Sequence, residues 1–147
     1  MNIKAPYSVM TIARYVITHS FKQRRPLSNL QLQKILYFLQ KHYLQRYGRP
    51  LFQEPIEAWL FGPVVREVYF AYCAHGSSPI LRVYDTSVLR QEDKGFIDPL
   101  IDKYRSETPW ELVAEAHKEG SAWFQTWRNG AGRNEEIPLE LIRNENI

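Results

Sequence analysis

The side chains of this 147-residue chain best suited to chemistry are its four histidines, His19, His42, His75 and His117, and its one cysteine, Cys73. A metal held by one helical turn needs two ligands three or four positions apart, and no two of these histidines have that spacing. Cys73 and His75 lie close together, but neighbours two apart on a helix do not face each other, so local geometry makes no thiolate–imidazole dyad of them. A single cysteine excludes an internal disulfide and is too few for a thiolate zinc site. His117 stands near a helix end beside Glu119; it is either a general base or, more ordinarily, a residue favoured by the helix dipole. No glycine-rich phosphate cradle, Gly-x-Ser-x-Gly elbow or His-Glu-x-x-His pair occurs. The chain is therefore read as no enzyme, with no catalytic residue, no metal and no cofactor.

Composition narrows the remaining classes. Lys and Arg number 19 against 16 Asp and Glu, a net charge of +3, and 44% of residues are hydrophobic. These are the proportions of an ordinary globule, and the length suits one domain, residues 1–147. No apolar run approaches the roughly 20 residues of a membrane span. The N-terminus has no apolar core of a signal peptide, so the expected compartment is the cytoplasm. Lys22, Arg24 and Arg25 cluster, and Lys41, Arg46 and Arg49 fall at the far end of the second helix. Two helices joined by a turn, with pI ≈ 9.0, invite a nucleic-acid-binding or transcription-regulating small helical domain as an alternative. Acidic residues are scattered through every segment, however, and the candidate recognition helix offers mostly glutamines and apolar side chains. Nucleic acid is not the expected partner.

Aromatic residues make up 14% of the chain, enough either to fill a core or to mark a binding surface. Trp59, Tyr69, Trp110, Trp123 and Trp127 fall where a core would want them, whereas Tyr37 and Phe61 do not.

The elements that must position these residues are mainly helical. Val9, Ile12, Ala13, Val16 and Ile17 form one stripe after Ser8. Ser28 and Gln31 make a capping box for a second helix with the stripe Leu32, Ile35, Leu36, Leu39 and Tyr43, which Gly48 and Pro50 stop. Leu30, Tyr37 and Leu44 form a narrower strip on its opposite side, flanked by Gln33, Lys34, Gln40 and Lys41. Such a helix is either central or presents one side to a partner.

Periodicity then lapses, and a short β-hairpin-like element is expected around residues 51–61. Gly62-Pro63 reads as a turn leading into a helix with Val65, Val68 and Tyr72. Ile80 to Tyr84 read as a short extended piece. Asp98-Pro99 reads as a helix start, and Thr108-Pro109-Trp110-Glu111 as a capping box with proline at the first position. A short helix holds Trp123 and Trp127, and another follows Pro138. The fold class is mainly α (α+β), a compact helical domain with one small β element.

Three segments occur in an order that resembles a known family. They are Leu32-Gln33-Lys34-Ile35-Leu36-Tyr37-Phe38, then Glu57 to Tyr69 with Trp59-Leu60-Phe61-Gly62-Pro63-Val64-Val65 at its centre, then His117-Lys118-Glu119-Gly120-Ser121-Ala122-Trp123. Together they resemble the Panacea domain of SocA-like antitoxins, often phage-associated, from about Ile12 to Trp127. The chain departs from the usual pattern at Arg66, Ala116 and Ala122.

The resemblance implies a type II antitoxin that binds a cognate toxin encoded nearby. Neutralisation would come by direct contact or, as in at least one branch, by delivery of the toxin to the ClpXP protease. Gln33, Lys34, Tyr37, Trp59, Phe61, Gly62, Pro63 and Val64 are the expected toxin-binding residues. Tyr69, His117 and Trp123 are expected to support the fold. Self-association is left open.

Overall fold

A computed structural model describes residues 4–145. Among them the architecture is mainly helical with one two-stranded antiparallel hairpin. Helix α1, Val9–Lys22, is capped by the Ser8 hydroxyl, which accepts from the Thr11 N–H. Helix α2, Asn29–Tyr47, opens on the Ser28–Gln31 capping box and closes at Gly48 in the left-handed conformation. Four helices follow the hairpin: α3 (Arg66–Tyr72), α4 (Gln91–Arg105), α5 (Pro109–His117) and α6 (Ala122–Trp127). Helix α7, Leu139–Arg143, is the last.

Helix α2 is the axis of the molecule, packed by α1, α3, α4, α5, α7 and the hairpin. Every residue from Gln31 to Lys41 is buried. A helix covered on all sides must satisfy its polar side chains internally, because an unpartnered buried polar group costs about 1–3 kcal/mol. Gln40 donates to the Phe52 carbonyl (2.8 Å) and accepts from the Leu51 N–H (2.7 Å). Gln33 accepts from the Val65 N–H at 2.9 Å. Lys41 pairs with the Glu145 carboxylate at 2.9 Å. The glutamines act as backbone surrogates, fixing irregular segments that no sheet ladder holds.

Tyr37 is the main correction. Its strip allows a central helix or a side turned to a partner, and Tyr37 is an expected toxin contact. The helix is central, Tyr37 is 0% exposed and its hydroxyl donates to Glu145. Burial first, and then the adjacent carboxylate, push the phenol pKa well above its usual value. Trp110 is displaced the opposite way: expected in the core, it is 66% exposed.

The hairpin lies slightly C-terminal to its expected place. Strand β1, Glu57–Trp59, pairs with β2, Gly62–Val64, in the register Glu57↔Val64, Ala58↔Pro63 and Trp59↔Gly62, with Leu60 and Phe61 as the turn. Gly62-Pro63 is thus strand rather than turn and helix start. Pro63 is tolerated because it faces Ala58, whose N–H is already directed to the Glu135 carbonyl (2.9 Å) on the other side. The segment 134–137 lies along that side, with Asn134 donating to Ala58 and Ile137 donating to Ile56, each at 2.7 Å.

Two other expectations change. Helix α4 starts at Gln91 and runs through Pro99 rather than beginning there. One missing N–H is outweighed because Ile97, Ile101 and Tyr104 bury the same face on both sides of the proline. Residues 77–90 form no helix or strand. Ile80 instead donates to the Leu27 carbonyl (2.8 Å), and Tyr84 to the Thr18 hydroxyl (2.9 Å).

Candidate functional site

The hairpin is held from below and leaves its tip outside. Beneath it, the Lys34 ammonium donates to the Pro63 carbonyl at 3.0 Å. Gly62 sits directly on this lysine with φ +114; a Cβ there would lie 2.8 Å from Lys34 Cε and 3.3 Å from His117 Nε2. Only glycine allows both that backbone and that approach. On the flank, the Trp123 indole donates to the Trp59 carbonyl at 2.7 Å. His117 stacks on Trp123 with centroids 3.8 Å apart and planes 7° from parallel. Trp123 in turn stacks on Trp127 at 5.3 Å.

The electrostatics under the hairpin are unusual. Lys34 is fully buried, and that desolvation alone lowers its pKa from 10.5 to about 7. His117 is lowered too, first by burial and then by the Lys34 ammonium, with the Phe61 backbone working the other way. Its Nε2 is buried without a hydrogen-bond partner. His117 does end helix α5, but burial favours its neutral form, so a dipole-stabilised cation does not describe it.

The outer face is apolar. Phe61 is 55% exposed and meets the exposed Trp110 edge-to-face at 6.3 Å. Leu60 is exposed beside it, as is Phe70, which lies 6.4 Å from Trp59. Trp59 is half-buried, packed 5.0 Å from Tyr69 and covered by the Arg66 guanidinium at 5.6 Å. Arg66 also pairs with Glu57 at 2.9 Å.

Between the hairpin, α2 and the end of α3 runs a groove of about 610 Å³, whose walls include Gln33, Lys34, Trp59, Phe61, Val64 and Tyr69. These expected residues come together there. Tyr37 does not join them, His117 and Trp123 line a smaller cavity on the other flank, and Gly62 and Pro63 are covered.

Phe70, Trp110 and Arg133 belong to this face and escaped the sequence reading, whereas Leu60 lay inside the Trp59–Val65 motif. Leu60 had a usable signal, since a two-residue turn puts its apolar pair outside. Trp110 shares a stripe with Val113 but stands in the first turn of α5, where it meets Phe61 instead of the interior.

Of the basic residues considered for nucleic acid, Lys41 is buried in its ion pair, so it contributes nothing to a cationic face. No group of three or more metal-ligating side chains converges among the described residues. None of the described helices is long and apolar enough to cross a membrane.

The family description "Antitoxin SocA-like, Panacea domain" matches residues 32–124, from the first turn of α2 through the middle of α6. The chain belongs to this SocA-like Panacea family. It is also similar to antitoxin SocA of Caulobacter vibrioides (strain NA1000 / CB15N), 35% identical over 129 residues, covering 79% of this chain and 68% of that protein. No solved structure matches it significantly. The Panacea match takes in the whole hairpin, Lys34, Trp110 and His117, and leaves Arg133 and α7 outside.

Proposed function

We propose that this chain is a type II antitoxin that binds a cognate toxin, encoded beside it, through the hairpin-centred face. Family membership supports the class, and the exposed cluster of Leu60, Phe61 and Trp110 supports the place. Large apolar side chains seldom gather on a surface without a partner, and aromatic anchors dominate binding energies. A standard interface buries about 1,600 Å² in total, so the toxin covers the tip and the groove beside it. Neutralisation is by direct contact, with delivery of the toxin to ClpXP as the alternative.

Co-expression tests this. The neighbouring gene product alone should arrest growth, and this chain should restore it. Phe61→Ala should lose the rescue while keeping the wild-type melting temperature. Rescue that persists in cells lacking ClpX assigns neutralisation to occlusion; rescue that disappears there, with a lengthened toxin half-life, assigns it to delivery. Binding to DNA that falls steeply with salt, without any toxin complex, would favour the nucleic-acid alternative instead.

A further inference from the structure

The groove beside the hairpin has a charge pattern that says more about its occupant than its apolar walls do. Among the described residues its lining includes two basic side chains, buried Lys34 on the floor and exposed Arg133 on the rim, and no Asp or Glu. Lys34 has the Pro63 carbonyl as its hydrogen-bond acceptor and, among the described residues, no carboxylate within ion-pair distance. Arg133 is exposed, and its guanidinium has no hydrogen bond or ion pair among the described residues, although Arg66 and Arg128 nearby are both paired with glutamates. Its backbone is nonetheless fixed: Arg133 donates to Gly130, and the next residue, Asn134, donates to Ala58 of the hairpin. The arginine is therefore held beside an aromatic wall without an anion to meet it.

We propose that this groove receives an apolar segment of a partner protein carrying a carboxylate, whose apolar side chains pack on Trp59 and Phe61 while the carboxylate pairs with Arg133 at the rim. Lys34 beneath, with its ammonium in the floor of the same groove, adds positive potential that favours a carboxylate and disfavours a basic competitor. Arginine suits the role because its planar fork binds a carboxylate through two parallel hydrogen bonds. Identifying the partner as the toxin rests on the antitoxin reading; the carboxylate preference itself does not.

The test uses the full chain and two blocked tripeptides, N-acetylated and C-amidated, with the sequences Leu-Glu-Phe and Leu-Gln-Phe. Binding is followed by the indole N–H resonance of Trp59, a wall of the groove. The acidic peptide should shift this resonance with about fivefold higher affinity than the neutral one, the size of effect an exposed ion pair supplies. Arg133→Gln, at an exposed position, should fold normally and erase the difference. Equal affinities, selectivity that survives Arg133→Gln, or no shift with either peptide would overturn the proposal. If wild-type rescue from the toxin holds while the peptides fail, the antitoxin reading stands and its docking chemistry is different. If the peptides bind selectively while rescue fails, the groove is real and its partner is not that toxin.

Discussion

Helix α2 buries two lysines seven residues apart on one face, and their surroundings differ sharply. Lys41 meets the Glu145 carboxylate at 2.9 Å, which also accepts from the Tyr37 hydroxyl and, at 2.8 Å, from the Ala122 N–H. The Gln45 amide holds the Glu145 carbonyl at 2.7 Å. Lys34 has a single backbone carbonyl, a neighbouring histidine with an unpartnered nitrogen and, among the described residues, no carboxylate within ion-pair distance. A closed polar network fixes a fold, whereas a half-satisfied one is costly and persists where something else uses it. The Lys41 end is the clasp that ties α7 and the start of α6 to the axis. The Lys34 end is the seat of the surface proposed to meet a partner.

The sharpest way to break this contrast is at the clasp. Glu145→Ala leaves Lys41 charged and buried without its counter-ion and strips Tyr37 and Ala122 of their acceptor, so unfolding in urea should show a loss of about 3–5 kcal/mol. A loss near zero would mean that the clasp is open in solution.

This is also the region the sequence concealed. Ser28–Gln31 and Thr108–Glu111 announced their helices because a cap is local, its partners only three residues apart. Tyr37 looked external because Gln33, Lys34, Gln40 and Lys41 surround it, and polar flanks ordinarily mean water. Their actual partners, Val65, Pro63, Phe52 and Glu145, come from distant segments that only the folded chain brings to α2. The hairpin face was partly legible: the aromatic-Gly-Pro run marked a surface turn, though at Gly62-Pro63 instead of at Leu60-Phe61, while Trp110 and Arg133 reach the same face from segments with no sequence mark linking them to it.

At the seat, Gly62→Ala should cost about 1–3 kcal/mol, since it forces alanine to a strained positive φ and drives its Cβ against Lys34 and His117. Thermal denaturation reads this directly, and an unchanged melting temperature would show that the hairpin does not rest on Lys34.

Lys34 should also show itself in the pH dependence of stability. Lys34 titrates near 10.5 when unfolded and about 7 when folded. Between those values the unfolded chain holds a proton that the folded chain has released, so stability rises with pH across that window, by up to about 1.4 kcal/mol per pH unit. Below about 7 both states are protonated and Lys34 contributes no slope. Denaturation from pH 7 to 9 should show the rise, and Lys34→Met should flatten it. On the acid side, His42, lowered to about 4 mainly by burial, makes stability fall as pH drops from about 6.5 toward 4.

The smallest effect belongs to Arg66. Its pair with Glu57 is exposed on the arginine side, so Arg66→Ala should change stability by about 1 kcal/mol or less. A larger loss would mean that its cover over Trp59 carries part of the fold.

The most direct measurement is the affinity of the purified chain for the neighbouring toxin, by calorimetry, for wild type and Phe61→Ala. The exposed hairpin tip should carry an anchor worth about 2 kcal/mol, so the variant should bind roughly 30-fold more weakly with an unchanged unfolding midpoint. Equal affinities would contradict the placement of toxin binding on this face.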